Sequence, residues 1–142
     1  MEREIASKST VFIVSDDPIS VEPLRILLKE NLGLDAVVYD RVELFLNAFD
    51  PRRHGCLMLD VTEAETSQLE VLEQFAKWTV LPPMVFVTGD DLAPRLVKAL
   101  HAGVVDFITR PADPERLVKS LREALELDLV RRGNPRFRRN RE

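Results

Sequence analysis

The sequence predicts an α/β fold, one sheet of five parallel strands with helices on both faces. Three observations carry this. Apolar runs of strand length alternate with segments of helical period along the 142 residues. The clearest of these runs are continuous and rich in β-branched residues, as expected of strands buried on both faces. The connections are short, and right-handed crossovers turn successive β-α units of this kind into one parallel sheet.

The first strand is Val11-Phe12-Ile13-Val14, ending at Ser15-Asp16-Asp17-Pro18. The helix behind it sets Val21, Leu24, Leu27 and Leu28 on one face, with Gly33 suited to its C-terminal cap. Ser20 as N-cap would put Pro23 in the first turn, where no intrahelical donor is lost, but Asp17 is the favoured cap. Residues 35–39 give a short second strand. Asp40, with Glu43 three positions on, makes a capping-box-like start for a helix through Phe49. Cys56-Leu57-Met58-Leu59 is the third strand, ending at Asp60. Leu69, Leu72, Phe75 and Ala76 then recur at helical spacing, and Trp78 is expected to cover the end of that helix. Leu81-Pro82-Pro83 precedes the fourth strand, Met84 to Val87, ending at Thr88-Gly89. Asp91 can cap the next helix, whose Leu96, Val97 and Leu100 face the core. Gly103 leads into the fifth strand, Val104 to Ile108, ending at Arg110-Pro111. Asp113-Pro114 opens the last helix, to about Val130, in the favoured cap-then-proline order.

Hydrophobic residues at 45% and charged residues at 31% place the chain with globular domains and outside the disordered class. No apolar run approaches the length that spans a bilayer, and Met1-Glu2-Arg3-Glu4 opens no signal-peptide core. A cytoplasmic protein without a membrane partner is expected. The single Cys56 excludes an internal disulfide and a Cys-rich zinc site, and reads as strand packing. His54 and His101 lack companions in the sequence. The net charge of −4 is uneven: from Arg131 on, six arginines and one glutamate carry +5, leaving −9 on the rest. An acidic body is a poor general nucleic-acid binder. The expected organisation is an N-terminal tail over 1–9, a folded domain over 10–128 and a basic tail or linker over 129–142.

Ligands of such sheets sit beyond the carboxyl ends of the strands, at the switch in strand order. Those ends hold Ser15, Asp16 and Asp17, then Asp60, Thr88 and Arg110. Carboxylates set together repel, so the cluster needs a cation or raised pKa values. Mg²⁺ answers with one or two carboxylates, backbone oxygen and water. It would neutralise an incoming phosphoryl group, whose oxygens a cationic side chain and a hydroxyl would hold. Asp60 would be the nucleophile, forming an aspartyl phosphate.

Four segments carry a family likeness. They are Val11 to Pro18, Leu57-Met58-Leu59-Asp60-Val61, Val85-Phe86-Val87-Thr88-Gly89 and Gly103 to Pro111. In order and spacing they resemble the signature segments of response regulator receiver domains, over residues 10 to 128. The stretch from Phe49-Asp50-Pro51 to Asp60 is similar to the FixJ-type transcriptional regulators. The resemblance implies a (βα)5 flavodoxin-like three-layer sandwich with strand order 2-1-3-4-5. It implies Asp60 as phosphoacceptor, and a Mg²⁺ site from Asp16, Asp60 and the Thr62 carbonyl. It also implies Thr88 as the switch hydroxyl, Phe107 as the switch aromatic, Gly89 beside the pocket and Pro111 after a cis peptide bond. A sensor histidine kinase would be the donor. A homodimer through the fourth helix, fifth strand and fifth helix is a possible output, with DNA reached only through a domain outside this chain.

Three departures bear on activity. Ser15 replaces the first of the family's paired acids, which should weaken Mg²⁺. Arg110 stands in place of the family's lysine, a planar fork for a compact ammonium. It either contacts phosphate or pairs with Asp16 or Asp60. The loop after Asp60 has Ala64 and Gln68 where the family has proline and glycine, and adds Glu63 and Glu65. The favoured reading is a phosphorylated receiver that is a switch rather than an enzyme, and a degenerate pseudo-receiver acting without phosphate is the alternative. A haloacid-dehalogenase-like phosphatase is disfavoured, because Ser15-Asp16-Asp17-Pro18 lacks the Asp-x-Asp pair after the first strand.

Overall fold

The computed structural model of the chain describes residues 9–15, 17–61, 66–88 and 103–133. The chain runs β1 (Thr10–Val14), α1 (Pro18–Leu32), β2 (Ala36–Tyr39), α2 (Val42–Ala48), β3 (Gly55–Val61), α3 (Thr66–Ala76), β4 (Met84–Thr88), β5 (Val104–Thr109) and α4 (Pro114–Gly133). The sheet is parallel throughout, as the sequence predicts, in the order β2-β1-β3-β4-β5 that the family resemblance implies. The helix expected around Leu96, Val97 and Leu100 lies outside the described residues.

Side chains alternate across the pleat, so each continuous apolar strand feeds two cores. Val11, Ile13, Cys56, Met58, Val85, Val87 and Ile108 pack with Leu24 and Leu28 of α1 and Leu117, Leu121 and Leu125 of α4. Phe12, Val14, Leu57, Leu59, Met84 and Phe86 pack on the other face with Val42 and Phe45 of α2 and Leu72 of α3. This two-sided burial is why the central strands read as unbroken apolar runs.

Helix ends depart from the sequence reading in informative ways. α1 starts at Pro18, with Asp17 Oδ1 accepting the Ile19 N–H at 3.1 Å. Asp17 is thus the cap and not Ser20. Pro23 accordingly falls inside the helix on its exposed side, where the carbonyl one turn back can turn to water. Gly33, at φ 66°, closes the helix in the left-handed conformation, its N–H donating to the Lys29 carbonyl at 3.1 Å. α2 begins one residue later than a cap at Asp40 would set: Arg41 holds the cap position without a side-chain bond. That register sends Val42, Phe45 and Leu46 inward, and core burial of three apolar residues outweighs one cap. Trp78 does not cover the third helix; its ring is 87% exposed in the turn beyond it.

The last helix reaches Gly133 rather than Val130, and a buried carboxylate ties its end to the sheet. Asp128, 4% exposed, accepts the Gly55 N–H at 3.0 Å and Arg132 Nε at 2.9 Å. Arg132 also donates to the Arg53 carbonyl at 2.6 Å. His54 is not the isolated residue its sequence context suggests, for its Nδ1 lies 3.9 Å from Asp128 Oδ2. A Cβ on Gly55 would fall on the Thr10 carbonyl oxygen and within 2.9 Å of the Phe12 ring, so only glycine lets β3 start this close to β1.

Candidate functional site

β3 carries Asp60 within the strand, beside Val87 of β4 and one step before its end. It shares parity with Cys56 and Met58, so it turns to the face covered by α1 and α4. There Leu24, Met58, Val87, Leu117 and Pro111 wall a cavity of about 460 Å³, with Asp60 and Arg110 in its lining.

Arg110 lies in the turn after β5 and forms an ion pair with Asp60, its guanidinium donating to Oδ1. The Asp60 side chain is 15% exposed and that of Arg110 38%, so the pair is shielded on the carboxylate side and open on the other. Oδ2 accepts the Ser15 hydroxyl at 3.1 Å. The Ser15 oxygen in turn accepts the Asp17 N–H at 3.2 Å, which orients its one proton toward Asp60. Both carboxylate oxygens are therefore engaged, one by a cation and one by a hydroxyl. An acid at position 15 would instead set a second negative charge against Asp60.

Thr88 follows Val87 at the end of β4, in register with Val61 and Thr109. It is fully buried, and its carbonyl accepts the Arg110 N–H at 3.0 Å. The backbone thus couples the Thr88 and Arg110 positions. Phe107 turns to the opposite sheet face and stacks on Phe86, with centroids 5.4 Å apart and planes 21° from parallel. The Arg110-Pro111 bond is cis. Asp16, Thr62 and Gly89 lie outside the described residues.

The sequence reading missed two contacts. Ser15 is a direct partner of Asp60, which its place beside an acidic pair disguised. Asp106 of β5 meets Arg116 and Ser120 of α4, at 2.9 and 2.6 Å. Spacing held a signal for it, since Arg116 and Ser120 are four apart on one helix face and Asp106 shares sheet parity with Ile108. Burial works to raise the Asp106 pKa. Hydrogen bonds from Arg116 and Ser120, with the Arg116 charge, outweigh it and hold the carboxyl below its usual value.

A parallel sheet in this order, with an aspartate near the tip of β3 facing a cation after β5, defines a receiver domain of two-component response regulators. The chain belongs to that family: the family model for the response regulator receiver domain matches residues 11–122. It is 36% identical over 126 residues to the response regulator protein TodT of Pseudomonas putida, covering 89% of this chain and 55% of TodT. It is 31% identical over 118 residues to the transcriptional regulatory protein FixJ of Rhizobium meliloti, covering 82% of this chain and 57% of FixJ. Among solved structures, the response regulator StyR superposes with a TM-score of 0.78 at 34% identity, covering 89% of this chain and 63% of that one. The chain therefore spans little more than half the length of the curated relatives it matches. The family is one of regulators and not a known enzyme family. Among the described residues no helix is long and apolar enough to cross a membrane.

Receiver domains typically bind Mg²⁺. Among the described residues Asp60 is the one carboxylate lining the cavity, and its two oxygens face a guanidinium and a hydroxyl; Asp16 and Thr62, the other ligands the resemblance implies, lie outside those residues. No group of three His, Cys, Asp or Glu side chains among the described residues could hold a metal.

Proposed function

We propose that Asp60 accepts a phosphoryl group from a phosphohistidine of a sensor kinase, and that Arg110 holds the transferred group. The observation that supports this reading is the Asp60–Arg110 ion pair at the carboxyl end of the sheet. In the transfer an Asp60 oxygen attacks phosphorus, the P–N bond breaks, and the imidazole leaves and takes up a proton. The guanidinium then exchanges a carboxylate oxygen for phosphoryl oxygens, which its planar fork suits at two points. Ser15 keeps its hydrogen bond to Oδ2, so the carboxylate does not rotate as the group arrives. Asp16, Asp60 and the Thr62 carbonyl are our candidates for a Mg²⁺ bound weakly, because Ser15 brings no charge.

On this reading Thr88 and Phe107 reposition, and the face around the fifth strand and last helix changes partners, a second copy of the chain among them. Residues 10–128 form the receiver body, with 1–9 and 129–142 as flanks. In a longer cytoplasmic regulator the output would be control of transcription, through a domain outside this chain. Acetyl phosphate or phosphoramidate should add one phosphoryl mass to the wild type and none to Asp60→Ala.

A second reading, a receiver that binds partners without phosphate, is favoured by Ser15 and by the engagement of both Asp60 oxygens. It predicts no mass gain with either donor and no Mg²⁺ binding at millimolar concentration. Mass gain in Arg110→Lys but not in the wild type would assign the block to Arg110.

A further inference from the structure

We propose that Arg116 is a positioning residue for Phe107, clamping that aromatic from the last helix through its backbone. The proposal extends the reading of Phe107 as the moving aromatic. β5 is an edge strand of the sheet, next only to β4 in the strand order. An edge strand leaves the N–H and C=O of every second residue facing away from its neighbour, and both groups of one residue point the same way.

At Phe107 both groups are met by side chains. Its N–H donates to Asp106 Oδ1 at 2.9 Å, and its carbonyl accepts Arg116 at 3.1 Å. The same guanidinium grips the Asp106 carboxylate, with Nε 3.2 Å from Oδ2 and its NH2 nitrogen 2.9 Å from Oδ1. Ser120 adds a hydroxyl at 2.6 Å. One planar fork thus reaches a carboxylate and a carbonyl on adjacent residues, which a lysine could not do with one ammonium.

The clamp has a consequence for the ring. Phe107 stacks on Phe86, two residues before Thr88, and a change in its pose that carries its own backbone along loads the carbonyl that Arg116 holds. Movement of the aromatic is therefore transmitted to α4 as release or retention of Arg116. That route reaches the last helix through the sheet edge, on the face away from the ring.

The test uses the full chain labelled with fluorophenylalanine, which gives seven ¹⁹F signals, that of Phe107 assigned with Phe107→Leu. Arg116→Met and Arg116→Lys are compared with Lys29→Met, which breaks the unrelated, exposed Lys29–Asp35 pair. Arg116→Met removes two bonds to the Asp106 carboxylate and one to the Phe107 carbonyl; freeing the carboxylate that accepts the Phe107 N–H should speed amide exchange there about tenfold and shift or broaden the Phe107 ¹⁹F line. Arg116→Lys should act on the Phe107 line as Arg116→Met does, although it keeps the charge beside Asp106. An ion pair that merely staples helix to strand would leave that line in place, and this result in folded Arg116→Met overturns the proposal. A Phe107 line that Arg116→Lys leaves at the wild-type position also overturns it. Beryllofluoride separates the two ideas. If it leaves wild-type Phe107 unmoved while Arg116→Met shifts it, the clamp stands and phosphoryl switching at Asp60 fails.

Discussion

Asp128→Ala should cost this domain about 3 kcal/mol, at the low end of the range for breaking a buried ion pair. The side chain is 6% exposed and serves two donors, the Gly55 N–H at 3.0 Å and Arg132 Nε at 2.9 Å. Deleting it strands a buried backbone N–H at the head of β3, a loss of about 1–3 kcal/mol. Arg132 loses its partner as well, but it is 20% exposed and keeps the Arg53 carbonyl, so its share falls short of a fully desolvated charge. Asp128→Asn retains an acceptor for Gly55 and gives up the charge, and should cost about half as much. For a domain of this size about 3 kcal/mol lowers Tm by roughly 10 °C. Urea titration followed by circular dichroism at neutral pH measures both variants, with m unchanged if only the folded state is affected. A loss under about 1 kcal/mol for Asp128→Ala, or equal losses for Ala and Asn, would refute the reasoning, because neither can come from a buried carboxylate serving two donors.

Gly55→Ala should destabilise by more than about 3 kcal/mol, since the Thr10 backbone carbonyl stands where the new methyl must go; urea unfolding that detects under about 1 kcal/mol would mean the strands part easily. Cys56 is fully buried, and burial together with the nearby Asp128 charge pushes its thiol up in pKa. Alkylation by iodoacetamide should therefore track global unfolding, and labelling at the native rate of a free thiol would contradict the packing. Asp106 has a folded pKa below its unfolded value, so its contribution is full above the unfolded pKa near 4 and is lost as pH falls through the folded pKa. Asp106→Asn should flatten the stability–pH curve below about pH 4 and leave its slope at neutral pH alone.

Much of the fold was legible because its signals are local and repeated. Val11–Val14, Cys56–Leu59 and Met84–Val87 declare doubly buried strands, and short crossovers of fixed hand leave few ways to order them. The placement of Asp60 and Arg110 at one sheet end followed from the same counting. Helix starts were less legible. Asp17 was legible as the cap of α1, whereas Asp40 against Arg41 is a choice between neighbours that differ by about 1 kcal/mol, and core burial decides it.

Where the five strands lie along the chain, and that Asp60 and Arg110 stand at the same end of the sheet, the amino-acid order determined by itself. Tertiary structure alone decided that Ser15 takes the second oxygen of Asp60, that Asp128 reaches Gly55 across 73 positions, and that Arg116 meets the Phe107 carbonyl. Strand and helix periods repeat over many residues and survive averaging. A hydrogen bond depends on a few tenths of an ångström and one rotamer, and these exist only once sheet and helix have packed.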